Sequence, residues 1–246
     1  MGVLAPYLQS VARIIFGFLL LRHGMEQVLA YPEVSHAPRV SFEGAVELIA
    51  FPAGLFVILG LYTRPVSLVL AVLYFILFFL GPLQVGPYTH RNGGDPILLN
   101  AFFFLYLSVA GGGAWSADRL RGAASVDKRW EPVALSVLRI AAACLFLMHG
   151  LEKIFGVGGG RIDRDIMTIR GLAGWLEIVG GPLFGLGLFT RPVAFILSGE
   201  MAVAYFKAHA PKSVFPIQNG GELAVLFCFL FLYIAARGTG KWGVSK

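Results

Sequence analysis

Arg22-His23-Gly24-Met25-Glu26-Gln27 returns 126 residues later as Met148-His149-Gly150-Leu151-Glu152-Lys153. Gly60-Leu61-Tyr62-Thr63-Arg64-Pro65-Val66 returns as Gly187-Leu188-Phe189-Thr190-Arg191-Pro192-Val193, at an offset of 127. Asn92-Gly93-Gly94-Asp95 returns at the same offset as Asn219-Gly220-Gly221-Glu222. Arg13 matches Arg139, and Trp115 matches Trp242. Five matches in one order at nearly one spacing read as a tandem duplication of a ~120-residue unit. Such a chain is expected to fold as two like four-helix units, 1–114 and 133–246. The segment 115–132, which is basic and follows Gly111-Gly112-Gly113, is the linker between them.

Composition says where such units live. Of 246 residues, 57% are hydrophobic and 14% charged, against roughly 25% charged in a soluble domain. A helix that crosses a bilayer needs ~20 mostly apolar residues. Eight of them take ~160 residues and leave no room for a separate soluble domain. Two cysteines exclude a secreted disulfide scaffold. Cys144 and Cys228 lie in apolar stretches and read as packing residues. The net charge of +6 does not point to nucleic acid, because no basic run is interleaved with aromatics. The apolar stretch 14–21 lacks a small-residue cleavage site and reads as part of the first membrane helix, not a leader.

The expected fold is all-α integral membrane, with eight transmembrane helices as two parallel four-helix repeats. They are placed near 8–30, 42–61, 65–83 and 96–111, then 133–155, 172–189, 192–208 and 221–237. An even number of helices per unit points both units the same way, unlike an inverted transporter repeat. It also puts both termini, the Thr-Arg-Pro turns and the linker on one side. That side collects Arg13, Arg64, Arg119, Arg121, Lys128, Arg129, Arg139, Arg191, Arg237, Lys241 and Lys246, with only Asp118, Asp127 and Glu131 against them. A Lys/Arg excess marks the cytoplasmic face, so both termini are expected inside a plasma (inner) membrane. Tyr31, Tyr62, Tyr88, Trp115, Trp130, Trp175 and Trp242 fall near helix ends and suit an interfacial belt.

The ionisable residues toward the other face are the candidate site. His23/Glu26 and His149/Glu152 are spaced i, i+3 on one helix face, and Lys153 follows His149 by four. Glu47 and Glu177 fall in second helices; Asp95 and Glu222 open fourth helices, where a carboxylate suits the dipole. Glu200 lies about 12 Å into the core and must pair or stay neutral. His209 ends the seventh helix. Groups like these either tie a bundle together or line a pocket. Carboxylate-bridged metal bundles use Glu-x-x-His; the order here is His-x-x-Glu, and no metal is assigned. The second unit carries more of these groups and is expected to hold the richer pocket. In the turns, Thr63 and Thr190 can cap, and Arg64 and Arg191 can reach headgroups.

The repeated unit resembles the DoxX family: an opening Arg, His-Gly-x-Glu-Lys closing the first helix, Glu-x-x-Gly-Gly, Gly-Leu-Phe-Thr-Arg-Pro, a His ending the third helix, and Gly-Gly-Glu opening the fourth. The second unit carries all of them, as Arg139, His149 to Lys153, Glu177 to Gly181, Gly187 to Pro192, His209 and Gly220 to Glu222. The first departs with Gln27, Ala50 to Gly54, Pro82 and Asp95. The resemblance implies a small membrane subunit beside a redox system, similar to that of thiosulfate:quinone oxidoreductase. A quinone is then the possible cofactor, with a small sulfur anion the other occupant of the pocket, and other membrane or periplasmic subunits are the partners besides the bilayer. The ligand-binding candidates are His149, Glu152, Lys153, Glu177, His209, Glu222, His23 and Glu26. The alternative is a non-catalytic accessory subunit of a larger membrane complex. A transporter suits the chain less well.

Overall fold

The computed structural model describes residues 2–29, 41–123 and 129–245. Tyr31, Asp127, Lys128 and Lys246, used above for the belt and the charge asymmetry, lie outside the described residues. All regular structure among the described residues is helical. The long helices are α1 (Ala5–Leu29), α2 (Phe42–Leu59), α3 (Thr63–Leu80), α4 (Gly94–Ala110), α5 (Glu131–Phe155), α6 (Ile169–Leu186), α7 (Thr190–Ala204) and α8 (Glu222–Arg237). Each falls within about one turn of its expected place. Short helical turns occupy Pro82–Val85 and Ala117–Leu120. Among the described residues three segments are each long and apolar enough to cross a membrane: Phe42–Leu59, Thr63–Val85 and Glu131–Phe155.

Local chemistry sets the helix ends. Ser41 Oγ accepts from Gly44 N and starts α2; Thr168 Oγ1 accepts from Gly171 N and starts α6. Gly60 and Gly187 end α2 and α6 in the left-handed region, at φ 66° and 74°. Two residues later, Tyr62 and Phe189 also turn left-handed, at φ 49° and 48°. That conformation is costly for an aromatic residue. It is held because Asp118 accepts from Tyr62 N at 2.8 Å and Thr63 N at 2.7 Å, while Ser245 Oγ accepts from Phe189 N at 3.0 Å. Thr63 and Thr190 therefore do not cap. Arg64 and Arg191 reach back and donate to Val109 O and Ala236 O, both at 2.8 Å, at the ends of α4 and α8. Lipid anchoring is thus not their whole role, because an open carbonyl at a helix end is a nearer partner.

Within the first half α1 packs on α2 and α3 on α4; within the second, α5 packs on α6 and α7 on α8. The halves then interleave, α1 against α8 and α4 against α5. Tyr106 of α4 and Tyr233 of α8 meet hydroxyl to hydroxyl where the halves join, and Tyr106 also donates to Glu131 at 3.0 Å. Phe146, Phe184, Phe227 and Phe231 pack ring against ring at 5.0–5.4 Å below them. The inner helices are α1, α4, α5 and α8. The outer helices α2, α3, α6 and α7 turn Leu55, Leu59, Leu68, Val72, Phe79, Val179, Phe195 and Val203 outward. An apolar exterior of this extent suits lipid and not water. Cys144 and Cys228 are free thiols; Cys144 is exposed on α5, and Cys228 Sγ lies 3.6 Å from Ser198 Oγ.

Candidate functional site: crossed histidine–carboxylate pairs

The His-Gly-x-Glu segments close α1 and α5, and the carboxylates Asp95 and Glu222 open α4 and α8. Because α1 packs on α8 and α5 on α4, each histidine meets the carboxylate of the other half. His23 Nε2 lies 3.0 Å from both carboxylate oxygens of Glu222. His149 Nε2 lies 2.7 Å from Asp95 Oδ2. The loops preceding α4 and α8 cross the same seam. His90 sits edge-on to His149 at 5.9 Å, and Arg91 Nη1 reaches Glu152 Oε1 at 3.4 Å. On the other side the Arg22 guanidinium lies 4.7 Å over the Phe215 ring and donates to Glu26 Oε1 at 3.3 Å.

The remaining sequence-chosen residues stay within the second half. Lys153 donates to Glu177 as a mostly buried pair. His209 Nδ1 stands 3.1 Å from Asn219 O, and Asn219 Nδ2 donates to Tyr205 OH at 3.3 Å. That second cluster has a backbone cause. The end of the seventh helix, expected regular to 208, widens into a π turn over Tyr205–His209. Such a turn shifts side-chain phase, and it aims Tyr205 and His209 together at the Asn219 loop. Both carboxylate oxygens of Glu200 are buried and lack a hydrogen-bond partner among the described residues. The eight candidates thus form several clusters rather than one shared pocket.

One cavity adjoins them. Its volume is about 190 Å³, and it is lined by His23, Glu43, Glu47, Tyr74, Asn100 and Glu222 among others. The first half supplies all of these but Glu222, whereas the richer pocket was expected in the second. Glu43 and Asn100 had not been singled out. Asn100 Nδ2 is committed to Pro96 O at 2.8 Å, which leaves its amide oxygen as an acceptor. With three glutamates the cavity is rich in acceptors. Among the described residues no group of three or more His, Cys, Asp or Glu side chains is arranged to hold a metal ion.

The residues most deeply committed, Arg13 and Arg139, were matched in sequence and counted only among the charges of the cytoplasmic side. Both are fully buried. Arg13 donates to Gly112 O at 2.8 Å, Ile58 O at 2.6 Å, and to Val57 O and Trp115 O. Arg139 donates to Thr239 O at 3.0 Å, Gly185 O at 2.6 Å, and to Phe184 O and Trp242 O. Val57, Ile58, Phe184 and Gly185 lie in the last turns of α2 and α6, where the dipole is negative; Val57 O and Phe184 O also accept from the capping Gly60 and Gly187 N–H at 3.1 Å.

A helical chain with an apolar exterior, long apolar helices and a seam of buried ion pairs is an integral membrane protein. Residues 134–210 match the DoxX family model. An uncharacterized protein of Haemophilus influenzae is 46% identical over 127 residues, a match covering 48% of this chain and 93% of that protein. Inner membrane protein YphA of Escherichia coli is 32% identical over 136 residues, with the same two coverages. The chain belongs to the DoxX family. No solved structure matches it.

Proposed function

We propose that the chain is an eight-span membrane subunit of a quinone-linked redox system, and that the cavity beside His23 and Glu222 takes the headgroup of a reduced quinone. The single observation that carries this is the cavity's acceptor-rich wall. A quinol presents two hydroxyl donors, and Glu43, Glu47, Glu222 and the Asn100 amide oxygen are acceptors. His23, hydrogen-bonded to Glu222, fixes that carboxylate at the cavity wall, where a headgroup hydroxyl would donate to it. A small sulfur anion suits this wall poorly, since three carboxylates would repel it. The two halves are two copies of one unit, in keeping with relatives that match over about half of this chain. Both termini face the cytoplasm of an inner membrane, the compartment named for the Escherichia coli relative.

Lipid extracts of the purified protein are the test. Near-stoichiometric quinone is expected in the wild type, and His23→Ala and Glu222→Gln should each cut it by about tenfold, the loss of one charge-assisted hydrogen bond. Unchanged quinone content in both variants sinks the reading. A second reading rests on a different observation. Seven of the eight candidate residues are already spent on ion pairs, and His209 is spent on a backbone carbonyl. A network in which each candidate already has a charged or carbonyl neighbour suits a non-catalytic accessory subunit of a larger membrane complex. Native electrophoresis of solubilised membranes separates the two, because the accessory role requires co-migration with other subunits.

A further inference from the structure

At the opposite end of the helices, some 14 residues along α1 or about 21 Å from His23, a larger cavity of about 720 Å³ opens between the halves. Four arginines line it: Arg64 from the first half, Arg119 from the linker, and Arg191 and Arg237 from the second half. Its two acids are already engaged. Asp118 accepts from the N–H groups of Tyr62 and Thr63. Glu131 accepts from Tyr106 and from Arg237. Among the described residues no salt bridge joins Arg64, Arg191 or Arg119 to these acids, and the lining sets four arginines against two carboxylates. Arg64 and Arg191 each donate to one carbonyl, and Arg64 Nε is buried without a hydrogen-bond partner among the described residues. Beside Arg191 a glycine keeps space: a Cβ on Gly238 would stand 3.3 Å from its Nη2.

We infer that this cavity binds a phosphate-bearing anion, held between Arg64 and Arg191 with Arg119 at the rim. Arg64 Nε, buried without a partner, is costly until an acceptor completes it. The forked donors of arginine match phosphate oxygens. A basic recess between membrane helices is also where anionic headgroups lodge. The site owes nothing to the quinol cavity: the two share no lining residue, so either stands if the other fails.

The test uses the full chain, delipidated in neutral detergent. Thermal unfolding and native mass spectrometry are followed on adding phosphatidylglycerol, phosphatidylcholine or inorganic phosphate at matched concentration. A shift and a retained adduct with phosphatidylglycerol alone assign a lipid headgroup; an equal shift with inorganic phosphate assigns a soluble anion. Equal effects of the two lipids with none from phosphate overturn the inference. The R64Q/R191Q double variant should lose about thirtyfold in affinity for the effective anion, as expected for two near-surface cations. If that variant does not fold, R119E carries the test, because it caps no helix and should lose about tenfold by charge reversal. Unchanged affinity in a folded variant also overturns the inference.

Discussion

Arg13 and Arg139 show what a single residue does for this fold. Each guanidinium ties the end of one helix to the segment after the fourth helix of its half, using only carbonyl acceptors. Removing it leaves several buried carbonyls unsatisfied, at about 1–3 kcal/mol apiece before relaxation. Arg139→Ala should therefore cost about 3 kcal/mol or more, seen as a large fall in the unfolding temperature of detergent-solubilised protein. Arg139→Lys should recover little of it, since one ammonium cannot span Thr239, Gly185 and Trp242 as the planar fork does. Near-complete rescue by lysine would mean that charge alone matters there. The pairing of these arginines was legible as a match at offset 126. Their role was not, because sequence shows where a positive charge recurs but not which carbonyls are left open by the fold. Counting them with the loop charges assigned them to the interface, whereas both are buried inside the bundle.

At the level of elements, hydropathy and the punctuating glycines placed every long helix, while partners distant in sequence set the starts of α3 and α7 and the spacing between helices. The glycine of His-Gly-x-Glu is the clearest case. A Cβ on Gly24 would stand 2.3 Å from Phe51 N, and one on Gly150 would stand 2.9 Å from Ile178 N. The motif glycine thus sets how closely the first and second helices of each half approach, a use typical of small residues between membrane helices. Gly24→Ala should push α2 off α1, lower the unfolding temperature and misdirect His23. Gly199→Ala, where nothing lies within 4 Å, should be neutral or slightly stabilising by helix propensity. Equal behaviour of the two variants would remove the packing argument. Asp118 makes the same point for caps. It lies 55 residues from Thr63, so local turn chemistry pointed to Thr63 itself. Asp118→Ala should cost about 1 kcal/mol, the usual worth of a lost cap, and thermal unfolding beside the wild type will read it.

For the whole molecule the seam between the halves decides which polar groups meet. The sequence shows two histidines and two carboxylates at matching positions and invites the conclusion that each half closes its own pair. The structure crosses them, His23 to Glu222 and His149 to Asp95. No pattern along the chain distinguishes the two arrangements, because both put the same residues at the same depth. Only the packing of α1 on α8 and of α4 on α5 settles which pairs form. Crossing makes each half incomplete. Alone, either one leaves a histidine and a carboxylate without partners near the membrane interior, and such groups find partners where they can. The halves co-expressed as 1–123 and 129–246 should therefore co-purify, and Asp95→Asn with Glu222→Gln should weaken their association by about 2 kcal/mol per pair. That is less than a fully buried pair loses, because both histidines are partly exposed. Residues 129–246 expressed alone still hold His149 and Glu222. In a symmetric dimer the histidine of each copy meets the glutamate of the other, the same crossing with one sequence used twice. This fragment should run as a dimer in detergent, and Glu222→Gln should shift it toward monomer. A monomeric fragment with a native unfolding temperature would show instead that its polar groups are satisfied within one copy, and that the crossing is incidental to stability.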